Sequence, residues 1–285
     1  MIVAANPGLG FYLQQPFAQH ALLAAGIVAV TCGLIGPFVV ARGMAFAVHG
    51  TSELAFTGAA VAILFGQGPI AGALVGTSLF AGIIGLLGVR QRDRDSAIGV
   101  ILAFGLGMGV LALSYNTGYA SEATNILFGD ILGVSNSQLV VLGVIGGVVA
   151  LALCVLYRPL LFASVDPDVA ASRGVPVRAL GIVFLFLLAW AVTVASQVVG
   201  ALLVLSLAIT PAAAAQRLSA SPTVVTLLSV AFAVVAADGG LMLSFESSRP
   251  SSVFITSASF AIYVVARLVG PRLRGSRRNV AIDGD

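Results

Sequence analysis

Two ionisable side chains, His49 and Glu53, lie within an otherwise apolar stretch of the sequence. They are four residues apart, so on a helix they share one face and can contact one common ligand. Ionisable groups inside a membrane span are costly, and by default they indicate a polar pathway or a binding site. The pair therefore predicts a cation site. Two alternatives stay open, a tie between helices and a pair at the membrane boundary that water satisfies.

The composition places these two residues in an integral membrane protein. Of the 285 residues, 59% are hydrophobic and only 9% are charged, and the mean hydropathy is +1.08. Soluble domains carry about 25% charged residues, so a soluble fold is excluded. The cysteines, Cys32 and Cys154, lie far apart in apolar runs and suit small buried side chains better than a disulfide or a metal site.

The basic residues are all arginine, and the sequence contains no lysine. A phosphate-binding loop of the GxxxxGK[ST] type needs its lysine, so this chain cannot contain one. We therefore expect no ATPase activity in this chain, and any ATP-driven work would come from another subunit. The arginines cluster at the ends of apolar runs, where membrane orientation explains them, so the positive charge is no indication of nucleic-acid binding.

The elements that position His49 and Glu53 are predicted to be membrane-spanning helices. A crossing helix needs about 20 apolar residues. On that criterion the sequence predicts an all-α bundle of about nine spans in a transmembrane domain of residues 17–270. The predicted spans are 17–41, 46–66, 69–89, 96–114, 137–157, 179–196, 199–215, 222–238 and 252–270. The weakest boundary is at Ser196-Gln197, and Pro211 is expected to break or kink the seventh span.

Arginine placement predicts the orientation of these spans. Thirteen of the fourteen arginines fall on one side if the N-terminus is outside, and only Arg249 falls on the other. The positive-inside rule then places the C-terminus in the cytoplasm. Residues 1–16 become an extracytoplasmic segment, retained because it lacks the charged start of a signal peptide. Residues 271–285 become a basic cytoplasmic tail, partly disordered.

The longest cytoplasmic connection predicts a short surface helix at about residues 166–174. Asp166 is a suitable N-cap, Pro167 suits the first helical position, and Asp168 favours the helix N-terminus. Arg173 lies near its end, and Gly174 can take the left-handed conformation that follows a helix. Such a helix is typical of a membrane subunit that binds a soluble partner, and an ordinary capped linker is the alternative.

The long outer connection, at about residues 115–136, is acidic. It carries Glu122 and Asp130 and no arginine. Its apolar stretch, Ile126–Leu132, is expected to fold back onto the membrane surface or to re-enter the membrane. An acidic outer mouth favours cations, although two carboxylates are a weak indication.

Several segments in this order resemble one family, the permease subunits of bacterial zinc/manganese/iron ABC importers. The matching segments are 38–46 with 49–58, 95–99, 126–135, 166–176, 198–212 and 240–244. The resemblance implies a type II importer permease that works as a homodimer in the bacterial cytoplasmic membrane. Two ATPase subunits would lie below it and an extracytoplasmic metal-binding solute receptor above it. The 166–174 helix would be the coupling helix that docks on the ATPase.

The candidate metal ligands depart from the pattern of that family. Members typically carry Asp and then His four residues apart, whereas here the first position is His49 and the second is Glu53. Imidazole and carboxylate are both ligands for Zn²⁺, and carboxylate also suits Mn²⁺ and Fe²⁺. The resemblance therefore implies a transient metal-pathway role for the pair, with the metal left open. The proline of the family before Gly58 is Thr57 here, so the local helix geometry is expected to differ.

Other functions remain as alternatives. One is a permease for a metal chelate, such as a siderophore or corrinoid, which would need a wider and less polar pathway. Another is an ion-coupled secondary carrier with Glu53 as its relay. An intramembrane enzyme is disfavoured because the chain has two histidines and neither an HExxH nor a GxSxG-like arrangement. We expect the chain to bind no cofactor, and the divalent metal to be its cargo.

Overall fold

The chain folds into helices joined by short turns in the computed structural model, which describes residues 9–87, 91–115, 127–201, 203–247 and 250–280. This part of the chain contains twelve α-helices and no strand, which confirms the predicted all-helical fold. In chain order they are α1 (Leu9–Leu13), α2 (Pro16–Ala41), α3 (Ala45–Leu64), α4 (Pro69–Leu87), α5 (Gln91–Ser114), α6 (Asn136–Val155), α7 (Tyr157–Val165), α8 (Pro167–Ser172), α9 (Val177–Val199), α10 (Val204–Leu218), α11 (Pro222–Ser247) and α12 (Ser251–Val280).

Within the described residues, eight helices are long and apolar enough to cross a membrane, namely α2 to α6, α9, α11 and α12. The predicted seventh span differs, because α10 has only 15 residues. At 1.5 Å per residue it is about 22 Å long, shorter than a bilayer core of roughly 30 Å. The predicted nine spans therefore correspond, in the described residues, to eight helices that are long enough to cross and one shorter apolar helix, α10.

The break before α10 lies at Gly200, three residues beyond the predicted Ser196-Gln197 boundary. Gly200 ends α9 with φ +91° and ψ 151°, a conformation essentially limited to glycine. Pro211 lies inside α10 and does not interrupt it. Pro211 was the sequence signal for a break, but the helices are separated at Gly200 and not at this proline.

The last two crossing helices are longer than predicted. α11 continues to Ser247, so Asp238 lies inside this helix and not in the loop that follows it. The backbone of α12 stays helical to Val280. The rest of the predicted tail, residues 281–285, lies outside the described residues, as do Glu122 and Arg249.

Two helices, α2 and α3, form the centre of the bundle, and most of the other long helices pack against one of them. α2 packs against α6, α9, α10 and α11, while α3 packs against α4, α5, α9 and α10. In α2, α3 and α9, 61–67% of the residues in the apolar stretch are buried, whereas in α5, α6 and α12 only 22–28% are buried. The outer faces of these three helices suit contact with lipid, so the polar groups of α3 lie near the middle of the bundle.

Small residues allow α3 and α4 to approach each other closely. A Cβ added at Gly76 would lie 2.6 Å from the Leu54 carbonyl oxygen and 3.0 Å from Gly58 Cα. Gly72 faces Gly58 in the same way. Gly72 and Gly76 therefore form a helix-packing face, and the partner of that face is α3.

The segment Leu127–Val134, the described part of the long connection before α6, lies against the end of α9. Gly129, with φ +77°, would carry a Cβ 2.5 Å from the Val198 carbonyl oxygen and 2.6 Å from the Gly200 nitrogen. The two backbones are therefore in direct contact, and a side chain at either glycine would separate them. Ile131 is only 5% exposed, so this apolar stretch folds back onto the bundle itself.

Candidate functional site

His49 and Glu53 lie in the first turns of α3, directly after the tight turn that joins α2 to α3. Gly43 makes this turn with φ +61°, and α3 begins two residues later at Ala45. His49 Nδ1 lies 4.0 Å from Glu53 Oε1. The structure thus brings the predicted pair together on one face of one helix.

The environment of the two side chains is asymmetric. Glu53 is only 3% exposed, whereas the His49 side chain keeps about a third of its surface, 34%. Nδ1 of His49 is buried and makes no hydrogen bond within the described residues. The pair therefore has a closed carboxylate end and an imidazole that can be reached from outside the bundle.

Among the residues that the structure describes, no arginine lies within ion-pair distance of Glu53. In the part of the chain that the structure describes, the ion pairs within 4.0 Å are His49–Glu53 and Arg94–Asp95. A buried carboxylate without a cationic partner is costly, and a bound cation or a proton removes that cost. The chemistry of this end of α3 is therefore that of a cation contact.

Hydroxyl side chains around the pair bond to the backbone. Ser52 Oγ donates to the His49 carbonyl oxygen at 2.8 Å, and Thr51 Oγ1 donates to that of Ala47 at 2.7 Å. The Thr57 hydroxyl lies 3.0 Å from the Glu53 carbonyl oxygen and 2.8 Å from that of Gly105 on α5. α3 therefore continues unbroken through Thr57, and the Thr57 hydroxyl ties it to α5.

The pair does not form a complete metal site within one chain. Among the described residues, no group of three or more His, Cys, Asp or Glu side chains is placed to hold a metal ion. Two side chains can supply two ligands, whereas zinc sites usually have four protein or water ligands and manganese sites more. Two ligands suit brief contact with a passing ion better than storage.

Arg42 connects the α2–α3 turn to α7. Its Nε donates to Ser164 Oγ at 2.7 Å, and its Nη2 donates to the Leu160 carbonyl oxygen at 3.4 Å. The guanidinium carbon lies 4.6 Å from the centre of the Phe184 ring on α9, within range of a cation–π contact. Burial, and then the nearby Arg94 charge, lower the pKa of Arg42 to about 10, so it stays charged at neutral pH.

Arg94 holds the same turn from the opposite side. Its Nη2 donates to the Gly43 carbonyl oxygen at 3.4 Å, and its Nε lies 3.8 Å from Asp95 Oδ1. The turn that begins α3 is therefore held by arginines from two directions. Neither bond was predicted from the sequence, and the position of Arg42 and Arg94 at the ends of apolar runs was the available signal that they could also bond locally.

The predicted surface helix is present as α8. Asp166 is its N-cap, with Oδ1 accepting a hydrogen bond from the Val169 nitrogen at 3.0 Å. Pro167 is its first residue, Arg173 is its C-cap, and Gly174 follows with φ +80°. The local predictions for 166–174 are confirmed. Each of these residues is exposed, as is Asp168 in the first turn, so α8 presents a free surface.

α8 is attached to the rest of the molecule through α7. Leu160 on α7 is fully buried, and Ala170 is the buried residue of α8. Ser164, the partner of Arg42, lies two residues before the Asp166 cap. One short path of contacts therefore runs from the exposed face of α8, through α7 and Arg42, to the turn at the start of α3.

The sequence matches the ABC 3 transport family over residues 14–270. The chain belongs to the ABC 3 transport family. This match covers every crossing helix and α8, so the family fold accounts for nearly the whole of the structure described above.

Relatives of this ABC 3 family chain are similar along almost their full length. The manganese transport system membrane protein MntC of Halalkalibacterium halodurans is 33% identical over 254 residues, which cover 88% of this chain and 87% of that protein. The manganese import system permease protein ScaB of Streptococcus parasanguinis is 31% identical and covers 93% of this chain and 95% of its own.

A solved structure has the same fold. PsaBC from Streptococcus pneumoniae, determined in complex with a Fab, superposes with a TM-score of 0.84 at 27% identity. The match covers 93% of this chain and 96% of that one. The family and this structure together make the chain a multi-pass membrane transport subunit of the ABC class, as the resemblance implied.

Proposed function

We propose that the chain is the membrane-spanning subunit of an importer that moves a divalent transition-metal ion into the cytoplasm, with manganese as the first candidate. The observation that carries this proposal is the His49–Glu53 pair, a buried carboxylate beside an accessible imidazole, with no arginine of the described residues within ion-pair distance. Relatives named as manganese transport proteins, MntC and ScaB, support the choice of metal.

The geometry of the pair is compatible with an ion held between the two side chains. Metal–nitrogen and metal–oxygen bonds of about 2.0–2.2 Å place two ligands of one ion roughly 3–4 Å apart. The 4.0 Å between His49 Nδ1 and Glu53 Oε1 is at the upper end of that range, so a small rotation of either side chain suffices. A contact with few protein ligands also releases its ion readily, as conduction requires.

The proposal includes a second copy of the chain. Two ligands from one chain are too few for a selective site, and a symmetric dimer doubles them if the two α3 helices face each other. Phe46 and His49 are both partly exposed at the start of α3, which leaves this face available to a partner. The four side chains, His49 and Glu53 of each copy, would then form the site through which the ion passes.

The remaining partners follow from α8 and from the orientation. Residues 166–174, with Asp166, Pro167, Asp168, Arg173 and Gly174, would dock on a separate ATPase subunit, which supplies the energy. A metal-binding solute receptor would deliver the ion at the opposite face. The arginine distribution supports a cytoplasmic C-terminus and an outside N-terminus in the bacterial cytoplasmic membrane. This orientation requires an odd number of crossings, so it includes α10, together with the residues that precede it, as a ninth crossing segment. In this assembly the chain itself catalyses no reaction and binds no cofactor.

Cellular metal content tests this function. A deletion strain grown under metal limitation, with any parallel importer also removed, is complemented with the wild type, with the double variant His49→Ala/Glu53→Ala, or with His20→Ala. His20→Ala is the matched control because it removes the other histidine of the sequence. Manganese, zinc and iron are then measured at equal membrane levels of each protein.

We expect one metal to fall on deletion and to be restored by the wild type and by His20→Ala only. Full restoration by the double variant would show that the pair is structural. No change in any metal on deletion would overturn the metal-import function and favour a chelated or non-metal cargo.

A further inference from the structure

We infer that a cavity at the outer end of α3 is a first binding site for the incoming hydrated divalent cation, with the carboxylate of Asp130 as its charged ligand. This inference rests on the proposed function, since it adds a second ion-binding site to the same pathway, nearer to the outer surface than the His49–Glu53 pair. The cavity is separate from the His49–Glu53 pair, although both involve α3, and it also involves α4, α6 and α9.

The cavity lies where several helix ends meet. Its volume is about 260 Å³. Its polar side chains come from the segment Leu127–Val134, the start of α6 and the end of α9, and its apolar floor comes from α3 and α4. The polar residues are Asp130, Gln138, Ser196 and Gln197, and the floor includes Ile63 and Ile70.

The size of the cavity suits an ion that keeps its water. A water molecule occupies about 30 Å³ in the liquid, so six waters take roughly 180 Å³. A divalent ion with a full first shell of six waters therefore fits into this space. Such an ion is held by oxygen atoms that bind its water molecules, and it needs few direct protein ligands. Mg²⁺-like and Mn²⁺-like ions favour carboxylate and carbonyl oxygen.

The chemistry of the lining favours a cation over an anion. Among the described residues that line the cavity, Asp130 is the charged one. Ser196 is only 3% exposed and adds a hydroxyl oxygen, while Gln197 adds an amide. Because an apolar wall lies opposite, the field of the carboxylate is less screened than on an open surface.

The position of Asp130 is determined by the local backbone. Its Oδ1 accepts a hydrogen bond from the Gly133 nitrogen at 3.0 Å. A Cβ at Gly133 would collide with the Asp130 carboxylate, with Oδ1 at 3.0 Å, so the glycine makes room for it. The neighbouring Gly129 holds the segment against Val198 and Gly200 of the α9 end. Asp130 is exposed to solvent, and these local contacts hold its carboxylate at the cavity.

The cavity and the metal pair are connected by α3. Ile63, in the cavity floor, is ten residues after Glu53 on the same continuous helix. At 1.5 Å per residue the two sites are about 15 Å apart along its axis. An ion that leaves the outer site therefore has about half of the bilayer core to cross before it reaches the pair.

Manganese binding and transport together test this inference. The full-length permease in nanodiscs is equilibrated with radioactive Mn²⁺, and bound metal is measured against free metal. Transport is measured in proteoliposomes with the ATPase subunit and the receptor. The variants are Asp130→Asn, His49→Ala/Glu53→Ala and, as a matched control, Glu246→Gln. Asn keeps the oxygen that accepts from Gly133, and Glu246 is an exposed carboxylate at the end of α11 that does not line the cavity.

We expect Asp130→Asn to lose one class of bound Mn²⁺ that the double variant and Glu246→Gln both retain. Transport at low Mn²⁺ should fall on the order of ten-fold in Asp130→Asn, as for loss of electrostatic steering, while receptor affinity stays unchanged. Unaltered Mn²⁺ binding in Asp130→Asn would overturn the inference. So would a loss of receptor affinity with Mn²⁺ binding intact, which would make Asp130 a docking residue.

Failure of the proposed function gives a different result. In that case the wild type transports no Mn²⁺ and the double variant behaves like the wild type, whatever Asp130→Asn does. Wild-type transport that Asp130→Asn leaves unchanged, together with unchanged binding, would remove only the outer site.

Discussion

The Nε atom of Arg42 donates a 2.7 Å hydrogen bond to the hydroxyl of Ser164, and the two residues are 122 positions apart in the chain. This bond joins the end of α2 to the helix that leads into α8. His49 lies seven residues after Arg42, so the turn that Arg42 bonds to α7 also begins the helix that carries the His49–Glu53 pair. If α8 docks on an ATPase subunit as proposed, a movement of α8 would reach α3 by this short path of packed groups.

The Arg42–Ser164 contact predicts a coupling energy between the two positions. Arg42→Ala and Ser164→Ala should each lower stability by about 1–3 kcal/mol, as for hydrogen bonds to charged groups. The double variant should cost less than the sum, because either change removes the same bond. Thermal unfolding of the purified permease measures all three, and strict additivity would contradict the contact.

Removing the N-cap of α8 should weaken attachment of the ATPase subunit. Asp166→Ala loses the side-chain acceptor for the Val169 nitrogen, which costs about 0.5–2 kcal/mol of helix stability. Asp166→Asn keeps an acceptor and should bind the ATPase nearly as well as the wild type. The measurement is the affinity of the ATPase subunit for the permease in nanodiscs.

Asp168→Ala is the matched control for charge, because it removes a carboxylate from the same turn without removing the cap. Its effect should be smaller than that of Asp166→Ala. Equal affinities for all four proteins would show that α8 is a linker with no docking role.

The glycine at the end of α9 should resist substitution. Gly200→Ala puts a side chain at φ +91°, where its Cβ would meet the Gly129 nitrogen at 2.5 Å. We expect a loss of more than about 2 kcal/mol, from the backbone strain and the separation of the two segments. Gly181→Ala, on the same helix, has open space around its Cβ and should be neutral or stabilising by up to about 1 kcal/mol. Unfolding experiments on both variants measure these changes in stability. Similar losses in the two variants would contradict the close approach of the backbone at Gly200 to the backbone at Gly129.

Exchanging the two ligands should preserve transport. In the variant His49→Glu/Glu53→His the imidazole and the carboxylate change places but stay four residues apart on one helix face. We expect manganese uptake within several-fold of the wild type, whereas Glu53→Gln alone should lose on the order of ten-fold or more, because it removes the charge that attracts the ion. Uptake assays at matched protein levels compare them. Equal activity of Glu53→Gln and the wild type would exclude a role for the carboxylate charge.

Much of the molecule could be predicted from the sequence because the relevant interactions are local. A crossing helix needs only a run of apolar residues, since its backbone hydrogen bonds lie within the segment. The cap at Asp166 and the turn at Gly174 depend on residues within one or two helical turns. The His49–Glu53 proximity follows from four-residue spacing alone. Each of these local predictions was confirmed.

Other features depended on contacts between distant parts of the chain. The seventh span is short because the chain turns at Gly200, where the segment at Gly129 packs against it; Pro211, the visible local signal, leaves its helix intact. The bond from Arg42 to Ser164 and the cavity beside Asp130 likewise join segments far apart in the sequence. Sequence spacing determined which residues share a helix face, and only the packing of the helices determined which faces meet, because such packing sums many weak contacts that no short motif encodes.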